Sequence, residues 1–202
     1  RDRSHLDINS AYAEINKWRP DGKVVAAVFT HHHVDHIFAT QKFDEEADRS
    51  NQKRPVVYSH KLTPDHFDRY KKTLGWNTAI NKRQFAINVP HFKWPEEYRY
   101  PDITYEEEYT FKIGDCTFEL FHGRGETDDH TWVYIPERKI LAPGDLFIWA
   151  VPNGGNPQKV QRYISDWSDA LRLMIKKDAE IMIPGHGLPI YGKDRIKEAL
   201  ST

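Results

Sequence analysis

The sequence predicts an α/β domain in which helices pack on layers of β-sheet. Strand-like apolar runs alternate with segments of helical period along most of the chain, an order typical of layered α/β folds. The first predicted strand, Lys23–Thr30, is apolar throughout its interior, as in a strand that is covered on both faces. With 202 residues and 39% hydrophobic residues the chain can bury a core, so wholesale disorder is excluded.

The first third of the chain predicts two helices and two strands. Ser4 with Asp7 is typical of a helix start, and an apolar face at helical spacing runs to Trp18 before Pro20. A second helix begins at Thr63-Pro64-Asp65, which supplies a cap, a proline and an acid in the first turn. The segments between them are predicted to be the strand Lys23–Thr30, a polar loop or solvated helix end at Phe43–Arg54, and the strand Pro55–Ser59.

The segment Gly75–Pro101 is rich in aromatic residues but shows no clean period. Long segments of this kind are more often a lid or an interface than a spacer, so part of it is expected to border the active-site cleft. The alternative, that it forms an irregular piece of the core, stays open.

The second half predicts a run of strands followed by a helix, a strand and a last helix. The helix covers Val160–Lys177, with Val160, Ile164, Trp167, Leu171 and Met174 facing inward at helical spacing. The strands are Tyr109–Ile113, Thr117–Phe121, Thr131–Ile135, Lys139–Ala142 and Ile181–Ile183, and the last helix is Asp194–Leu200.

Composition narrows the class of function. Lys+Arg 29 against Asp+Glu 30 leaves a net charge of -1, which argues against a general binder of nucleic acid or of membrane surfaces. No apolar run approaches the ~20 residues of a membrane span. The single cysteine, Cys116, excludes an internal disulfide framework and is compatible with a cytoplasmic location. We therefore expect a protein that acts on a small molecule, without nucleic-acid or membrane partners.

Histidines concentrate at the end of the first predicted strand, where His31 to His36 read HxHxDH. In an extended segment alternate residues share a face, so His31 and His33 can point the same way. Asp35 and His36 follow where the chain turns, and can face a second ion nearby. Imidazole and carboxylate are ligands that zinc accepts, and two-metal sites place their ions about 3.5–4 Å apart.

Three later loops could complete two coordination shells, and each follows an apolar run. They are His122–His130, Pro143-Gly144-Asp145 and Pro184-Gly185-His186-Gly187. In this order the four motifs resemble those of the metallo-β-lactamase-fold hydrolases, which have HxHxDH, a PGHTxGH-like loop, a Gly-Asp pair and a late PGH. The resemblance runs from about Val24 to the C-terminus. It implies a metallo-β-lactamase-like αββα sandwich and a hydrolytic site with two zinc ions.

The second motif departs from the common pattern. When the family's loop is laid over His122–His130, Glu126 stands where the family has a histidine ligand. The spacing from Glu126 to Asp145 resembles the alkylsulfatase branch, which also has a glutamate there. His122 remains the alternative ligand. The metal ligands that the resemblance implies are His31, His33 and Glu126 at one ion, Asp35, His36 and His186 at the other, and Asp145 as the bridge between them.

The resemblance also implies a mechanism. A hydroxide that two zinc ions share near neutral pH would be the nucleophile. Asp35 is expected to orient it or to pass a proton, and Asp145 to hold both ions. His130 is expected to support the site or to hydrogen-bond the substrate rather than to bind metal. These three residues form the predicted catalytic set.

Substrate contacts are predicted for an anionic group. Arg124 and Lys159 are the candidate cations, with Arg162 as a further one, and Asn153 could donate a hydrogen bond to an ester oxygen. For each cation, an ordinary solvated surface position is equally compatible with the sequence. Tyr163 stands roughly where the sulfatase-like branch has a histidine that protonates the leaving group, which is a second departure from that branch.

The resemblance finally implies that residues 1–202 are part of a larger domain. Family domains place several strands before HxHxDH, and the sulfatase-like relatives continue into a C-terminal dimerisation region, so a homodimer is possible in the full-length protein. The expected activity is hydrolysis of an ester-type substrate: a sulfate ester, thioester, lactone or β-lactam. The alternative is a non-hydrolytic di-iron protein such as an oxidoreductase, because Glu126 moves the ligands towards the harder donors that iron accepts.

Overall fold

A computed structural model of the protein describes residues 8–150 and 162–201, of which 8–11 are described by their backbone only. Within these ranges the chain forms helices and strands in two sheets. The helices are α1 Ile8–Trp18, α2 Ala39–Arg49, α3 Thr63–Lys72, α4 Leu74–Gln84, α5 Ile164–Ile175 and α6 Lys193–Ser201. The strands are β1 Ala26–Val28, β2 Val56–His60, β3 Ile103–Tyr105, β4 Glu108–Ile113, β5 Cys116–His122, β6 Thr131–Ile135, β7 Ile140–Ile148, β8 Ile181–His186 and β9 Ile190–Tyr191.

The first sheet has three parallel strands in the order β1-β2-β3. Parallel strands need crossovers that cover the sheet, and α2 and α3 lie in the two connections. Phe67 and Tyr70 on α3 are buried with Phe29 and Val57 of the sheet in one apolar cluster. This layer places the histidine motif, which follows β1, at one end of the sheet.

The second sheet has six strands in the order β4-β5-β6-β7-β8-β9, antiparallel except for the parallel pair β7–β8. Helices α5 and α6 bury their apolar residues against this sheet. Trp167 and Met174 of α5 belong to one buried apolar cluster, which also contains Leu146 of β7 and Met182 of β8. The indole N–H of Trp167 donates to the main-chain oxygen of Leu146 at 2.7 Å, which fixes α5 close to the end of β7.

A third apolar cluster lies between the two sheets. Tyr58 and Tyr105 of the first sheet pack against Leu120 and Val133 of the second. The ring of Tyr58 stacks on that of Phe111 with centroids 4.2 Å apart. The sheets therefore face each other and the helices cover their outer sides, which confirms the predicted αββα sandwich. No helix in the described ranges is long and apolar enough to cross a lipid bilayer.

For the polar segment Phe43–Arg54 the structure favours the helix-end alternative over its first half, because α2 ends at Arg49. Several other element predictions need correction. The first strand is only three residues long, and β3 and β9 were not predicted. The predicted helix Val160–Lys177 begins at Ile164 in the described residues; Val160 lies outside them. Ile164 is exposed rather than inward, because it stands in the first turn of α5.

The aromatic segment Gly75–Pro101 is not free of regular structure, since α4 occupies its start. The helix escaped prediction because its few apolar residues form no continuous apolar stripe, and even Trp76 and Ile80, one turn apart, differ in burial: Ile80 is buried whereas Trp76 is exposed. Further along, Trp94 and Tyr98 are buried in the cluster around Phe67. For these two residues the structure favours the irregular-core alternative over a lid.

Candidate metal centre

Four loops bring the predicted ligands to one end of the two sheets. The histidine motif bends as it leaves β1, is extended at His33 with φ −60° and ψ 140°, and then makes one 3-10 turn over Val34–His36. Its start is tied to the second sheet, because the N–H of Thr131 donates to the oxygen of Thr30 at 2.6 Å. The other ligands come from the loop after β5, from the irregular middle of β7 and from the end of β8.

The first ligand group is His31, His33 and Glu126. Glu126 Oε2 lies 3.5 Å from His31 Nε2 and 3.5 Å from His33 Nδ1, and the two ring nitrogens are 2.9 Å apart. His31 is fully buried. Two imidazole nitrogens and one carboxylate oxygen, all atom types that bind zinc, therefore lie close together.

The second group is Asp35, His36 and His186. Asp35 Oδ2 lies 3.3 Å from Nε2 of His36 and 3.3 Å from Nε2 of His186. The side chains of Asp35 and His186 are 55% and 54% exposed, so this group opens to solvent. It is the side from which a substrate could approach.

Asp145 lies between the two groups. Its Oδ2 is 3.3 Å from His36 Nε2, 3.4 Å from His186 Nε2 and 3.9 Å from His31 Nε2. Its approach depends on glycine: a Cβ at Gly185 would lie 1.9 Å from Asp145 Oδ1, and Gly144 has a positive φ of 59°. Together the seven side chains form what we call the metal centre.

Three buried atoms of the metal centre have no hydrogen-bond partner among the described residues. They are Glu126 Oε2, His36 Nε2 and Asp145 Oδ1. Buried polar atoms are almost always paired, so exceptions need an explanation such as an ion. A set of imidazole nitrogens and carboxylate oxygens that face one another fits divalent zinc or iron. The residues present therefore fit the two-ion site that the sequence implies.

Electrostatics favour metal-binding forms of most of these groups. Burial and the neighbouring His33 lower the pKa of His31 well below its ordinary value, so its ring is neutral at pH 7. Burial would raise the pKa of Glu126, but His33 and Arg162 outweigh it and lower the pKa to about 2. Burial lowers the pKa of His36, whereas the carboxylates of Asp145 and Asp35 raise it to about 10. His36 must therefore lose a proton to bind a cation.

His130 lies behind the metal centre. It is fully buried, its ring stacks on that of His31 at 4.7 Å, and its Nε2 accepts the N–H of Asp145 at 3.2 Å. It thus contacts one ligand side chain and the backbone of another. Its burial favours the supporting role over contact with substrate.

His122, the alternative to Glu126, takes no part in the ligand groups of the described chain. Its ring stacks on that of His60 at 3.9 Å, and its Nδ1 lies 3.0 Å from the oxygen of His130. The geometry favours Glu126, and the assignment of either as ligand stays a prediction.

The predicted substrate contacts are only partly described. Arg124 Nη2 lies 2.5 Å from Asp166 Oδ2, and its guanidinium stands over the ring of Tyr163 at 4.9 Å. It is exposed, and its guanidinium is paired with Asp166, so its contact with substrate stays a prediction. Asn153 and Lys159 lie outside the described residues.

A second histidine cluster, which we call the support cluster, was missed by the sequence reasoning. It contains His32, His66, Asp129 and Thr63. His32 Nδ1 lies 2.8 Å from Asp129 Oδ1, Thr63 donates to Asp129 Oδ2 at 2.9 Å, and the rings of His32 and His66 stack at 3.9 Å. The alternation of an extended segment could have predicted that His32 points away from His31 and His33.

Comparison with known proteins gives the family. The family model of the metallo-beta-lactamase superfamily matches residues 16–186, so the chain belongs to this superfamily. This range contains all seven residues of the metal centre. The predicted resemblance is thereby confirmed.

Individual relatives are distant. The chain is 26% identical over 166 residues to a metallo-beta-lactamase type 2 from Elizabethkingia meningoseptica, covering 76% of this chain and 63% of that protein. It is 22% identical over 198 residues to a linear primary-alkylsulfatase from Pseudomonas sp. (strain ATCC 19151), covering 89% of this chain and 37% of the relative. The solved structure of the stereoselective inverting sec-alkylsulfatase Pisa1 from Pseudomonas sp. matches with a TM-score of 0.77 at 19% identity, over 95% of this chain and 34% of that one. The chain thus spans less than two thirds of each of these proteins.

Proposed function

We propose that this chain carries the metal centre of a hydrolase that uses two divalent ions, zinc in the first instance, on an ester-type small molecule. The observation that carries the proposal is the position of Asp145, whose Oδ2 lies within 3.9 Å of nitrogens from both ligand groups. A carboxylate can serve two cations at once, which is the arrangement of a dinuclear site.

Each residue has a distinct task in this proposal. His31, His33 and Glu126 hold one ion, and Asp35, His36 and His186 hold the other. When bound, such a pair of ions supplies an ionised water at neutral pH and a Lewis acid. Asp35 is half-exposed at the open side, where its carboxylate can orient the attacking water and accept its proton. His130 fixes the ring of His31 and the backbone of Asp145 from behind.

The substrate is proposed at the level of a class: a sulfate ester, thioester, lactone or β-lactam. Two of these are supported by the names of relatives, a metallo-beta-lactamase and alkylsulfatases. Asn153, Lys159 and Arg124 remain the proposed contacts for the substrate. Tyr163, whose ring lies under the guanidinium of Arg124, stands roughly where a sulfatase-like relative is expected to have a histidine.

The second candidate is a non-hydrolytic di-iron protein, such as an oxidoreductase, on the same ligands. Three of the seven ligands are carboxylates, and hard oxygen donors suit iron better than an all-histidine site would. A cytoplasmic location and a homodimer of the full-length protein also stay predictions from the sequence.

Elemental analysis of the purified full-length protein, together with a panel of four substrate classes, tests the proposal. Close to two zinc ions per chain and chelator-sensitive hydrolysis of at least one class are expected. Two iron ions without hydrolysis would favour the second candidate. A protein that binds neither metal would contradict both.

A further inference from the structure

Arg162 directs both terminal nitrogens of its guanidinium at a single residue. Nη2 lies 2.9 Å from Oε1 of Glu126, and Nη1 donates to the main-chain oxygen of the same glutamate. The side chain of Arg162 is only 5% exposed. Its guanidinium is therefore buried and paired with Glu126, so it is not available as a cation for substrate.

The packing around the pair fixes its geometry. The N–H of Tyr163 donates to the oxygen of Gly125 at 3.0 Å, which ties the residues on both sides of the ion pair. A Cβ at Gly125 would lie 2.3 Å from Leu146 Cδ2 and 2.9 Å from Trp167 Cγ, so this turn is packed tightly against the start of α5. These contacts therefore hold Glu126 and Arg162 in a fixed position relative to each other.

Because of Arg162, the two carboxylate oxygens of Glu126 have different contacts. Oε1 is occupied by the guanidinium, whereas Oε2 faces the nitrogens of His31 and His33 at 3.5 Å. Oε2 is also one of the buried atoms without a hydrogen-bond partner in the described part of the chain. Use of both oxygens on one ion would require the ion pair with Arg162 to break.

The same pair has a consequence for charge. Glu126 brings one negative charge to a position where the common family pattern has a neutral histidine, and Arg162 returns one positive charge. A buried pair interacts at a lower effective dielectric than in water, so this compensation reaches the neighbouring ligands. The pair of Glu126 and Arg162 therefore has a net charge of zero, the same as the neutral histidine of the common family pattern.

We propose that Arg162 is a positioning residue that holds Glu126 as a one-oxygen ligand and keeps the metal centre positive enough to bind an anionic substrate group. The substrate class is accordingly an ester or amide with an anionic oxygen group, such as a sulfate, phosphate or carboxylate. This inference rests on the proposed function, because it needs ions in the metal centre.

The test uses the full-length protein loaded with cobalt(II), whose visible absorption reports coordination number and geometry. Arg162→Gln should alter the absorption of one site and weaken the binding of inorganic sulfate, measured by calorimetry, about tenfold. Arg162→Lys keeps the charge but not the two-nitrogen fork, so it should alter the absorption while sulfate affinity stays within about threefold. The double variant Glu126→His with Arg162→Gln keeps the net charge of the parent and should restore sulfate affinity, whereas its cobalt spectrum should differ because a nitrogen replaces a carboxylate oxygen as donor. Arg172→Gln, an exposed α5 arginine paired with Asp169, is the matched control.

Each possible outcome of this experiment either supports the inference or overturns it. If Arg162→Gln only lowers Tm and leaves absorption and sulfate affinity as in the parent, the arginine is merely structural and the inference is wrong. If Arg162→Gln does not fold, the lysine variant decides, and an unchanged cobalt spectrum there overturns the positioning role. A double variant that binds fewer ions than Arg162→Gln overturns the charge argument. If the parent protein itself binds no metal, the proposed function fails first and this inference fails with it.

Discussion

The metal centre and the support cluster are built from the same stretch of chain, yet their hydrogen bonding is opposite. His31 and His33 point into the first, and His32 between them points into the second. In the support cluster both oxygens of Asp129 accept hydrogen bonds, from His32 and from Thr63. In the metal centre Glu126 and Asp145 each keep a buried oxygen without a hydrogen-bond partner among the described residues.

The difference teaches how to interpret a run of histidines. In an extended segment the faces alternate, so three consecutive histidines serve two purposes. The side where both oxygens of the buried carboxylate accept hydrogen bonds stabilises the loop, and the side where buried carboxylate oxygens lack a hydrogen-bond partner among the described residues can bind cations. Hydrogen-bond satisfaction, rather than residue type, separates the two roles.

Asp145→Asn should give the largest effect, because it removes the charge that lies between both ligand groups while keeping the shape. We expect loss of at least one ion per chain and a fall in kcat/KM of more than about 100-fold. Metal content and hydrolysis by the full-length protein measure this. Asp169→Asn on the exposed face of α5 should change neither. Two retained ions with near-normal turnover would show that Asp145 is not the bridge.

Asp129→Asn should act on stability instead. The carboxylate is fully buried, and His32 keeps its pKa far below the ordinary range although burial opposes this. An amide cannot accept both hydrogen bonds as well as a carboxylate does, so we expect a loss of about 2–4 kcal/mol in the free energy of unfolding. Chemical denaturation of metal-free protein measures it.

The comparison predicts a smaller loss for Asp145→Asn under these metal-free conditions. Its Oδ1 has no hydrogen-bond partner among the described residues, so the variant loses only the charge that Oδ2 places 3.3 Å from His36 Nε2 and 3.4 Å from His186 Nε2. Equal destabilisation by both variants would remove the distinction between the clusters.

A smaller effect is expected from His60, which is buried and has no carboxylate within hydrogen-bond distance among the described residues. Burial and the neighbouring His122 lower its pKa from 6.5 to about 4. The unfolded chain then binds more protons than the folded one in this range. The stability that neutral His60 gives is therefore complete above pH 6.5 and is lost as the pH falls towards 4.

The expected size of this loss is about 3 kcal/mol. His60→Gln should show a flatter decline in the free energy of unfolding between pH 6.5 and 4 than the parent, measured by denaturation at several pH values. Parallel pH profiles would mean that His60 does not titrate with folding.

Much of the site could be predicted from the sequence, because ligand spacing in a motif is a local property. HxHxDH follows an apolar strand, and the structure does bring Glu126, Asp145 and His186 to it. The pairing of Arg162 with Glu126 could not be predicted, since it depends on where α5 begins relative to a loop 36 residues earlier. Helix α4 was missed for a related reason: its few apolar residues form no continuous stripe along one face, so tertiary packing is needed to define it.

The most direct test of the central claim is a crystal structure of the full-length protein grown with zinc, with the ions located by anomalous scattering. We predict two zinc ions, one with Glu126 Oε2 at about 2.0–2.2 Å together with His31 and His33, and Asp145 within reach of both. His122 should remain stacked on His60. A single ion, or a zinc bound by His122 with Glu126 turned away, would contradict the account.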